Sequence, residues 1–381
     1  MHLLAYLIPL VFLAGAYVYD PSRIMSLELT EFLIILGIAE ALVGGVHALV
    51  RYFGKDIEFL SGYVTTAKHH NAWTERVVYY ETVSDGKGKT RQVQRVRYVH
   101  HPDEWLWELN TGHTSSISEQ MYVELVYRWG GNTYPISVFH PNCVAGGGGD
   151  ATDWDQDMNH VETETYEQRY TNPLDHSNSI FRYEEISPKQ ARERGLYDYP
   201  KIRNMKQEPI QGLDIATSSD QRAFQLINAM HGKVHQVHFF VLLFDAAKGL
   251  TIAEDQRAYW HGGNKNEFTI CLGIEKTDDG NILRWCNAFS WMDEPVLELA
   301  VEDWARDQQD KPLDLQAFAQ WLKEHLGLWK RKEWKDFAYL SNPMRTWQLL
   351  TLFATAILVG VGICYYLFFF DSSTFDTTYY Y

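Results

Sequence analysis

The chain has 381 residues, of which 46% are hydrophobic and 22% charged, so it is long enough to bury one or two sizeable cores. Its 34 Lys and Arg are outnumbered by 49 Asp and Glu, which gives a net charge of −15. This balance excludes a general nucleic-acid binder, because such proteins cluster basic residues to neutralise phosphates.

Apolar residues are concentrated at both ends of the chain and predict three membrane-spanning helices. Two lie within residues 1–54, and one lies within the C-terminal segment 336–381. The predicted spans are 3–19, 32–50 and 347–370. For the first span a cleaved signal peptide is the alternative, since Ala14-Gly15-Ala16 offers a small-x-small cleavage site.

The distribution of Lys and Arg predicts how the chain is oriented in the membrane. The link between the first two spans holds only Arg23, and the tail 371–381 holds neither Lys nor Arg. Basic residues instead follow the second span and precede the third: Arg51, Lys55, Lys323, Lys330, Arg331, Lys332, Lys335 and Arg345. The positive-inside rule therefore places the large middle region in the cytoplasm and the C-terminus outside.

Residues 55–170 predict a soluble β-rich domain. The strand-like stretches are 57–66, 74–83, 91–100, 121–129 and 133–140. Between the second and third, Ser84 to Lys89 contains Asp-Gly, which is typical of a hairpin turn. We expect an antiparallel sheet with one face toward solvent.

An acidic stretch in this domain has the spacing of a calcium-binding loop. Asp153, Asp155, Asp157 and Glu164 occupy positions 1, 3, 5 and 12 of such a loop. Position 6 is Met158 where the sharp turn needs Gly, and no predicted helices flank the stretch. A solvated acidic loop is therefore favoured, and we predict neither a metal nor a cofactor.

A proline-containing connecting segment, 171–217, leads to a predicted α/β domain over 218–335. In chain order we expect a helix at 220–231, a strand in the second half of 233–245, a helix at 252–259, a hairpin of 268–274 with 282–289, and helices at 294–308 and 313–328. The strand carries a continuous apolar run, which indicates burial on both faces. His235 and His238 are three positions apart and would point to opposite sides of a strand, which favours structural roles over a shared metal.

The loop Trp260-x-Gly262-Gly263-x-Lys265-Asn266, followed by Phe289-Ser290-Trp291, resembles a group of uncharacterised membrane proteins of tailed bacteriophages. The resemblance covers most of residues 55–310. The order of elements is also similar to that of the TPM domain, an α/β module of membrane-anchored proteins that is sometimes credited with phosphatase activity. This chain has no clear match to that domain's acidic motif, so the resemblance implies context rather than catalysis.

One candidate site lies in the α/β domain. Asp245 ends the buried strand, where α/β sheets place ligand-binding groups. With the loop of Gly262, Gly263, Lys265 and Asn266 it forms the candidate catalytic or ligand-binding site. The structural alternative is a strand cap beside a tight turn.

A second candidate lies in the second span. Glu40 and His47 are two helical turns apart and share one side of the helix. Ala41 and Gly45 add a small-x3-small spacing that favours close helix contact. A carboxyl group in hydrocarbon normally faces a partner, so we predict a homo-oligomer through this helix with Glu40 neutral; an ion path is the alternative.

The sequence thus predicts an α+β membrane protein, with two N-terminal and one C-terminal transmembrane helices enclosing a β-rich region and a TPM-like α/β domain. The favoured function is a non-enzymatic interaction protein of the host inner membrane, with the lipid bilayer and a host or phage protein as partners and no nucleic acid. The alternatives are a membrane-tethered hydrolase using Asp245 and a channel-type protein using Glu40 and His47.

Overall fold

The computed structural model describes residues 2–25, 27–84, 90–154, 161–172, 183–201, 207–278, 280–333 and 344–369. The helices are α1 Ile8–Tyr19, α2 Pro21–Met25, α3 Leu29–Phe53, α4 Glu119–Arg128, α5 Pro188–Arg194, α6 Ser218–His231, α7 Thr251–Tyr259, α8 Val296–Asp307, α9 Leu315–His325 and α10 Thr346–Phe369. The strands are β1 Asp56–His70, β2 Trp73–Ser84, β3 Thr90–His101, β4 Glu104–Leu109, β5 Thr114–Ser116, β6 Tyr134–Ile136, β7 Cys143–Gly146, β8 Gly149–Asp153, β9 Thr163–Tyr170, β10 Ile210–Gly212, β11 His238–Asp245, β12 Glu267–Thr277 and β13 Gly280–Ser290.

The chain divides into two compact units. Unit 1 comprises Met1–Ile57, Arg169–Arg182 and Glu333–Tyr381, and unit 2 comprises Glu58–Gln168 and Tyr183–Lys332.

Unit 1 contains the three predicted spans as helices. His2–Tyr19, Leu29–Phe53 and Thr346–Phe369 are each long and apolar enough to cross a membrane. The second starts before the predicted span because Glu28 caps it: the Glu28 side chain accepts from the backbone of Glu31, whose side chain accepts from the Glu28 backbone.

The helices of unit 1 pack through apolar side chains and one buried amide. Val43 of α3 lies in one apolar cluster with Leu352 and Ala356 of α10. Gln348 Nε2 donates at 2.6 Å to the Val50 carbonyl near the end of α3, which also accepts from the Gly54 amide at 3.0 Å.

The α/β part of unit 2 is built on the sheet β10-β11-β12-β13, in which β13 alone runs antiparallel to its neighbour. Strand β11 is buried on both faces, as its apolar run predicts. Phe239, Val241 and Leu243 contact the cluster formed with α6, α8 and α9. Phe240, Leu242 and Phe244 contact the opposite cluster, which α5 and α7 cover. The predicted helices, buried strand and hairpin are confirmed.

The β-rich part of unit 2 has the strand order β5-β4-β1-β8-β6, with β9 also paired to β1. Its core contains Val64, Ala67, Trp107 and Leu109. Strand β1 links the two parts of unit 2, because Phe59 near its start lies in the α/β core. Strand β10 lies in the segment that was predicted to connect the two domains, 171–217, but it pairs with β11 and so belongs to the α/β sheet.

The strand predicted at 121–129 is wrong, because this stretch forms α4. The Ser118 side chain caps the helix by accepting from the Met121 amide at 3.1 Å. Tyr122 and Leu125 are buried three positions apart, which is a helical spacing. The stretch predicted at 133–140 contributes only the three residues of β6.

Candidate functional site

The predicted loop between α7 and β12 is a tight turn. Gly262 and Gly263 have φ of 80° and 78°, in the left-handed region that favours glycine. The Gly263 carbonyl accepts from Trp291 Nε1 at 3.1 Å. The Gly-Gly pair is therefore explained by backbone geometry.

Lys265 and Asn266 attach the start of β1 to this turn. Lys265 Nζ lies 3.2 Å from Oε1 of the buried Glu58. Asn266 Nδ2 donates to the Phe59 carbonyl. Arg331 Nη2 lies 3.5 Å from the other oxygen of Glu58. A buried carboxylate needs such partners, so these side chains serve the fold.

The structure does not bring Asp245 and the Gly-Gly loop together. In the parallel pairing of β11 with β12, Asp245 lies opposite Ile274, and His238 lies opposite Glu267. The loop precedes Glu267, so the two features are at opposite ends of the strands, about 20 Å apart at the usual rise per residue. Asp245 is exposed, and its side chain accepts a hydrogen bond from the Ala247 amide at 2.9 Å. This contact fits the structural alternative, in which Asp245 caps the end of the strand.

The predicted calcium ligands are not seen as a group. Asp153 ends β8 and accepts from the Thr66 hydroxyl at 2.9 Å. Glu164 is buried in β9 and accepts from Trp107 Nε1 and the Ser115 hydroxyl, both at 2.6 Å. Asp155 and Asp157 lie outside the described residues. Among the residues that the structure describes, no group of three His, Cys, Asp or Glu is arranged to hold a metal.

His238 is the centre of a buried polar network that the sequence does not indicate. Its Nε2 lies 3.2 Å from Gln207 Oε1, and its Nδ1 lies 3.1 Å from Ser61 Oγ. Because the amide oxygen only accepts, Nε2 carries the proton and Nδ1 accepts from Ser61. Thr165 lies 2.8 Å from Ser61 and completes the chain of hydroxyls. Burial lowers the pKa of His238 to about 3.

The Ser61–His238 pair does not have the access that a nucleophile needs. Ser61 is 2% exposed, and His238 is fully buried. A substrate must reach the hydroxyl oxygen for nucleophilic attack. The pair is therefore a structural network within unit 2.

Within the second candidate span, Glu40 and His47 have different surroundings. Arg51 Nε donates to His47 Nε2 at 3.3 Å, and His47 Nδ1 lies 2.8 Å from the Tyr6 hydroxyl. His47 is thus engaged by the first span and by its own helix. Glu40 is partly exposed, and no hydrogen bond to its side chain is found in the described part of the chain.

The most exposed candidate surface is the β2–β3 ribbon, formed by Trp73–Ser84 and Thr90–His101. The two strands pair along their whole length, from Trp73 opposite His101 to Ser84 opposite Thr90. Strand β7 pairs with β2 only between Trp73 and Glu75. The Arg76 amide still donates to the Asn142 carbonyl at 3.0 Å. Beyond Arg76 neither edge of the ribbon has a third strand among the described residues, so its backbone groups there remain open to pairing. The predicted turn, 85–89, lies outside the described residues.

Both faces of the ribbon are exposed and chemically different. Residues directly opposite each other share a face, and successive residues alternate between faces. One face carries the pairs Val77–Arg97, Tyr79–Arg95 and Val83–Arg91; the other carries Arg76–Tyr98, Val78–Val96 and Tyr80–Gln94. Tyr80 and Tyr98 are each 67% exposed. The sequence predicts the strands but only one solvent-facing side.

The ribbon is basic within an acidic chain. Residues 73–101 contain six Lys and Arg and three Asp and Glu, whereas the whole chain carries −15. Arg95 Nε donates to Glu81 Oε2 at 3.0 Å. Arg91 and Arg97 are exposed, and the described residues place no carboxylate at ion-pair distance from them.

Aromatic stacking holds the Trp73–His101 end of the ribbon against His140. The Trp73 ring is stacked between His101 and His140, with both centroid distances 4.1 Å. Nearby, His69 lies between Asp103 and Asp150, at 2.9 and 3.0 Å. Burial opposes protonation of His69, but the two carboxylates outweigh it and raise its pKa. Stacking therefore holds this end of the ribbon against a neighbouring segment, while its remaining length is exposed.

These observations define a mixed α+β protein with three helices long and apolar enough to cross a membrane. No protein-family model, curated protein or solved structure matches the chain.

Proposed function

We propose that this chain is a multi-pass membrane protein that acts by binding a macromolecular partner through the β2–β3 ribbon. The observation that carries this proposal is the exposure of Tyr, Val and Arg on both faces of a ribbon with open edges. Monomeric proteins rarely leave such a surface uncovered without an interaction to serve. The structural roles of Lys265, Asn266 and Asp245 support binding over catalysis.

The test compares crosslinking from the ribbon with crosslinking from a matched surface position. A photoreactive residue at Tyr98 should give a discrete crosslinked product in cells that express the chain. The control is Tyr127, which is 86% exposed on α4. Arg76→Glu should abolish the Tyr98 product because it reverses the charge directly opposite Tyr98 on the same face. Equal products from Tyr98 and Tyr127 would show that the ribbon is not the binding surface.

The orientation is part of the proposal, with unit 2 in the cytoplasm and the C-terminus outside. The Lys and Arg distribution supports it, and the phage resemblance supports the host inner membrane as the location. Reporter fusions after Lys55 and after Leu340 should be cytoplasmic, and a fusion after Tyr381 should be external. A periplasmic signal from the first two contradicts this orientation.

We further propose that unit 1 self-associates through α3. Gly37, Ala41 and Gly45 are exposed on one side of the helix, and a Cβ added at Gly37 or Gly45 meets nothing within 4 Å. Such spacing lets the α3 helices of two copies approach closely. Glu40 lies beside these small residues, so it would face Glu40 of the second copy.

Native mass of the detergent-solubilised protein tests this assembly. Glu40→Leu and Gly45→Leu should each give the monomer. The control Gly15→Leu, at a similarly open glycine of α1, should leave the mass unchanged. If all variants have the same mass as the wild type, the contact is absent.

The hydrolase and channel alternatives stay predictions. Turnover of a general phosphatase substrate with divalent metals, abolished by Asp245→Ala, would replace the binding function. Ion flux through reconstituted vesicles, abolished by Glu40→Leu, would support the channel.

A further inference from the structure

A polar cavity lies where the β-rich and α/β parts of unit 2 meet. Its volume is about 430 Å³, which falls in the range of small-molecule sites. The cavity is lined by Thr163 and Thr165 of β9, by Gln207, and by Ser218, Arg222 and Gln225 of α6. We refer to it as the Arg222 cavity.

Two arginines line this cavity, and they differ in how their charge is compensated. Arg128 pairs with both Glu124 and Glu162. Among the described residues Arg222 donates to neutral oxygens only, the Val161 carbonyl and the Thr163 hydroxyl, the latter at 3.4 Å. In the described part of the chain no carboxylate lies within ion-pair distance of Arg222.

Arg222 has unused hydrogen-bonding capacity at the cavity. A guanidinium has five N–H donors, and Arg222 engages roughly two of them with the described residues. The group is partly buried, and burial lowers its pKa against a smaller opposing effect of Glu162. Because desolvation disfavours an isolated charge, an anion that pairs with Arg222 gains more there than in bulk water.

The remaining lining suits an oxyanion with a polar body. Thr163 and Ser218 provide hydroxyls, while the amides of Gln207 and Gln225 are held in place: Gln225 Nε2 donates to the Gln207 carbonyl, and Gln207 Oε1 accepts from His238. Glu162 also lines the cavity, but Arg128 compensates it. Glu208 is exposed.

We propose that the Arg222 cavity binds a small molecule bearing a carboxylate or phosphate group, with the anion paired to Arg222. This site is separate from the ribbon and does not depend on the function proposed for it. A planar guanidinium recognises both anions by two parallel hydrogen bonds.

The experiment uses the full chain in detergent, with inorganic phosphate and acetate as separate probes and sodium chloride at matched ionic strength as the reference. Site-resolved mass spectrometry follows modification of each arginine by phenylglyoxal. A bound anion should slow the modification of Arg222 saturably. The control is Arg306, which is exposed beside Asp303 and should be modified at the same rate with either probe as in sodium chloride. Protection by phosphate alone assigns a phosphate ligand, and protection by acetate assigns a carboxylate.

Variants give a second measurement. The probe that protects Arg222 should raise the unfolding temperature of the wild type saturably. In Arg222→Gln the same rise should need at least about tenfold more probe, because a charge-assisted contact is lost. Arg306→Gln should leave that rise unchanged. The proposal is overturned if neither probe protects Arg222 beyond chloride, or if Arg222→Gln responds as the wild type does. The protection measurement uses the wild type and so does not require the variant to fold.

Discussion

His238 makes the stability of unit 2 depend on pH. The residue is fully buried, and its pKa in the folded chain is about 3, below the ordinary value of 6.5. Between these two values the unfolded chain binds a proton that the folded chain does not. The stabilisation is therefore complete above about pH 6.5 and is lost progressively as the pH falls toward about 3.

The size of this loss follows from the two pKa values. Each unit of pKa difference corresponds to about 1.4 kcal/mol. When the pH is lowered from about 7.5 to about 5, the imidazole of the unfolded chain becomes almost fully protonated, while that of the folded chain stays neutral. The free energy of unfolding should fall by about 2 kcal/mol through this one residue.

The perturbation is His238→Gln, which keeps hydrogen-bonding groups and removes the titration. Urea unfolding of the full chain in detergent can be followed by tryptophan fluorescence, which reports mainly on unit 2 because only Trp334 and Trp347 lie outside it. The difference between wild type and variant isolates His238 from His69, whose raised pKa gives the opposite slope.

The control is His100→Gln, at an exposed position of β3. Its stability should depend on pH as that of the wild type does. Between about pH 7.5 and about pH 5, the free energy of unfolding of His238→Gln should fall by about 2 kcal/mol less than that of the wild type. If the wild type and His238→Gln lose the same stability on acidification, the imidazole is not held neutral by burial and the reasoning is refuted.

Two further predictions concern single contacts. Lys265→Met should lower the free energy of unfolding by about 3 kcal/mol because it removes a partner of the buried Glu58, and adding Glu58→Gln should recover part of the loss. A change below about 0.5 kcal/mol in urea unfolding would contradict the assigned role. Gly360→Val should lower the unfolding temperature of unit 1 in detergent, because a Cβ there overlaps the Phe12 ring. Gly362→Val, where a Cβ meets nothing within 4 Å, is the control, and equal effects of the two changes would mean that the α1–α10 contact is not tight.

The sequence alone determined the elements whose signals are local. Three long apolar segments indicated the candidate spans, because length and composition suffice for that property. The continuous run ending at Asp245 indicated a strand buried on both faces, and the turn residues before Gly280 indicated the hairpin of β12 and β13. At 121–129 the sequence also contained the helical spacing of Tyr122 and Leu125, but its aromatic and β-branched residues favoured a strand.

Only the tertiary structure showed which contacts the candidate site residues make. Asn266 and Phe59 are 207 positions apart, and Ser61 and His238 are 177 apart, yet each pair shares a hydrogen bond. The loop predicted as a ligand site contacts the start of β1, and Asp245 lies at the far end of the strand.

The exposure of the ribbon was likewise beyond sequence patterns. Its strands are recognisable from composition, but whether a third strand covers an edge depends on where β7 ends its pairing with β2. The same holds for Arg222, because its contact with Thr163 depends on how β9 and α6 are brought together. Local patterns reflect neighbours within a few residues, whereas burial and charge compensation depend on segments that only the chain topology brings into contact.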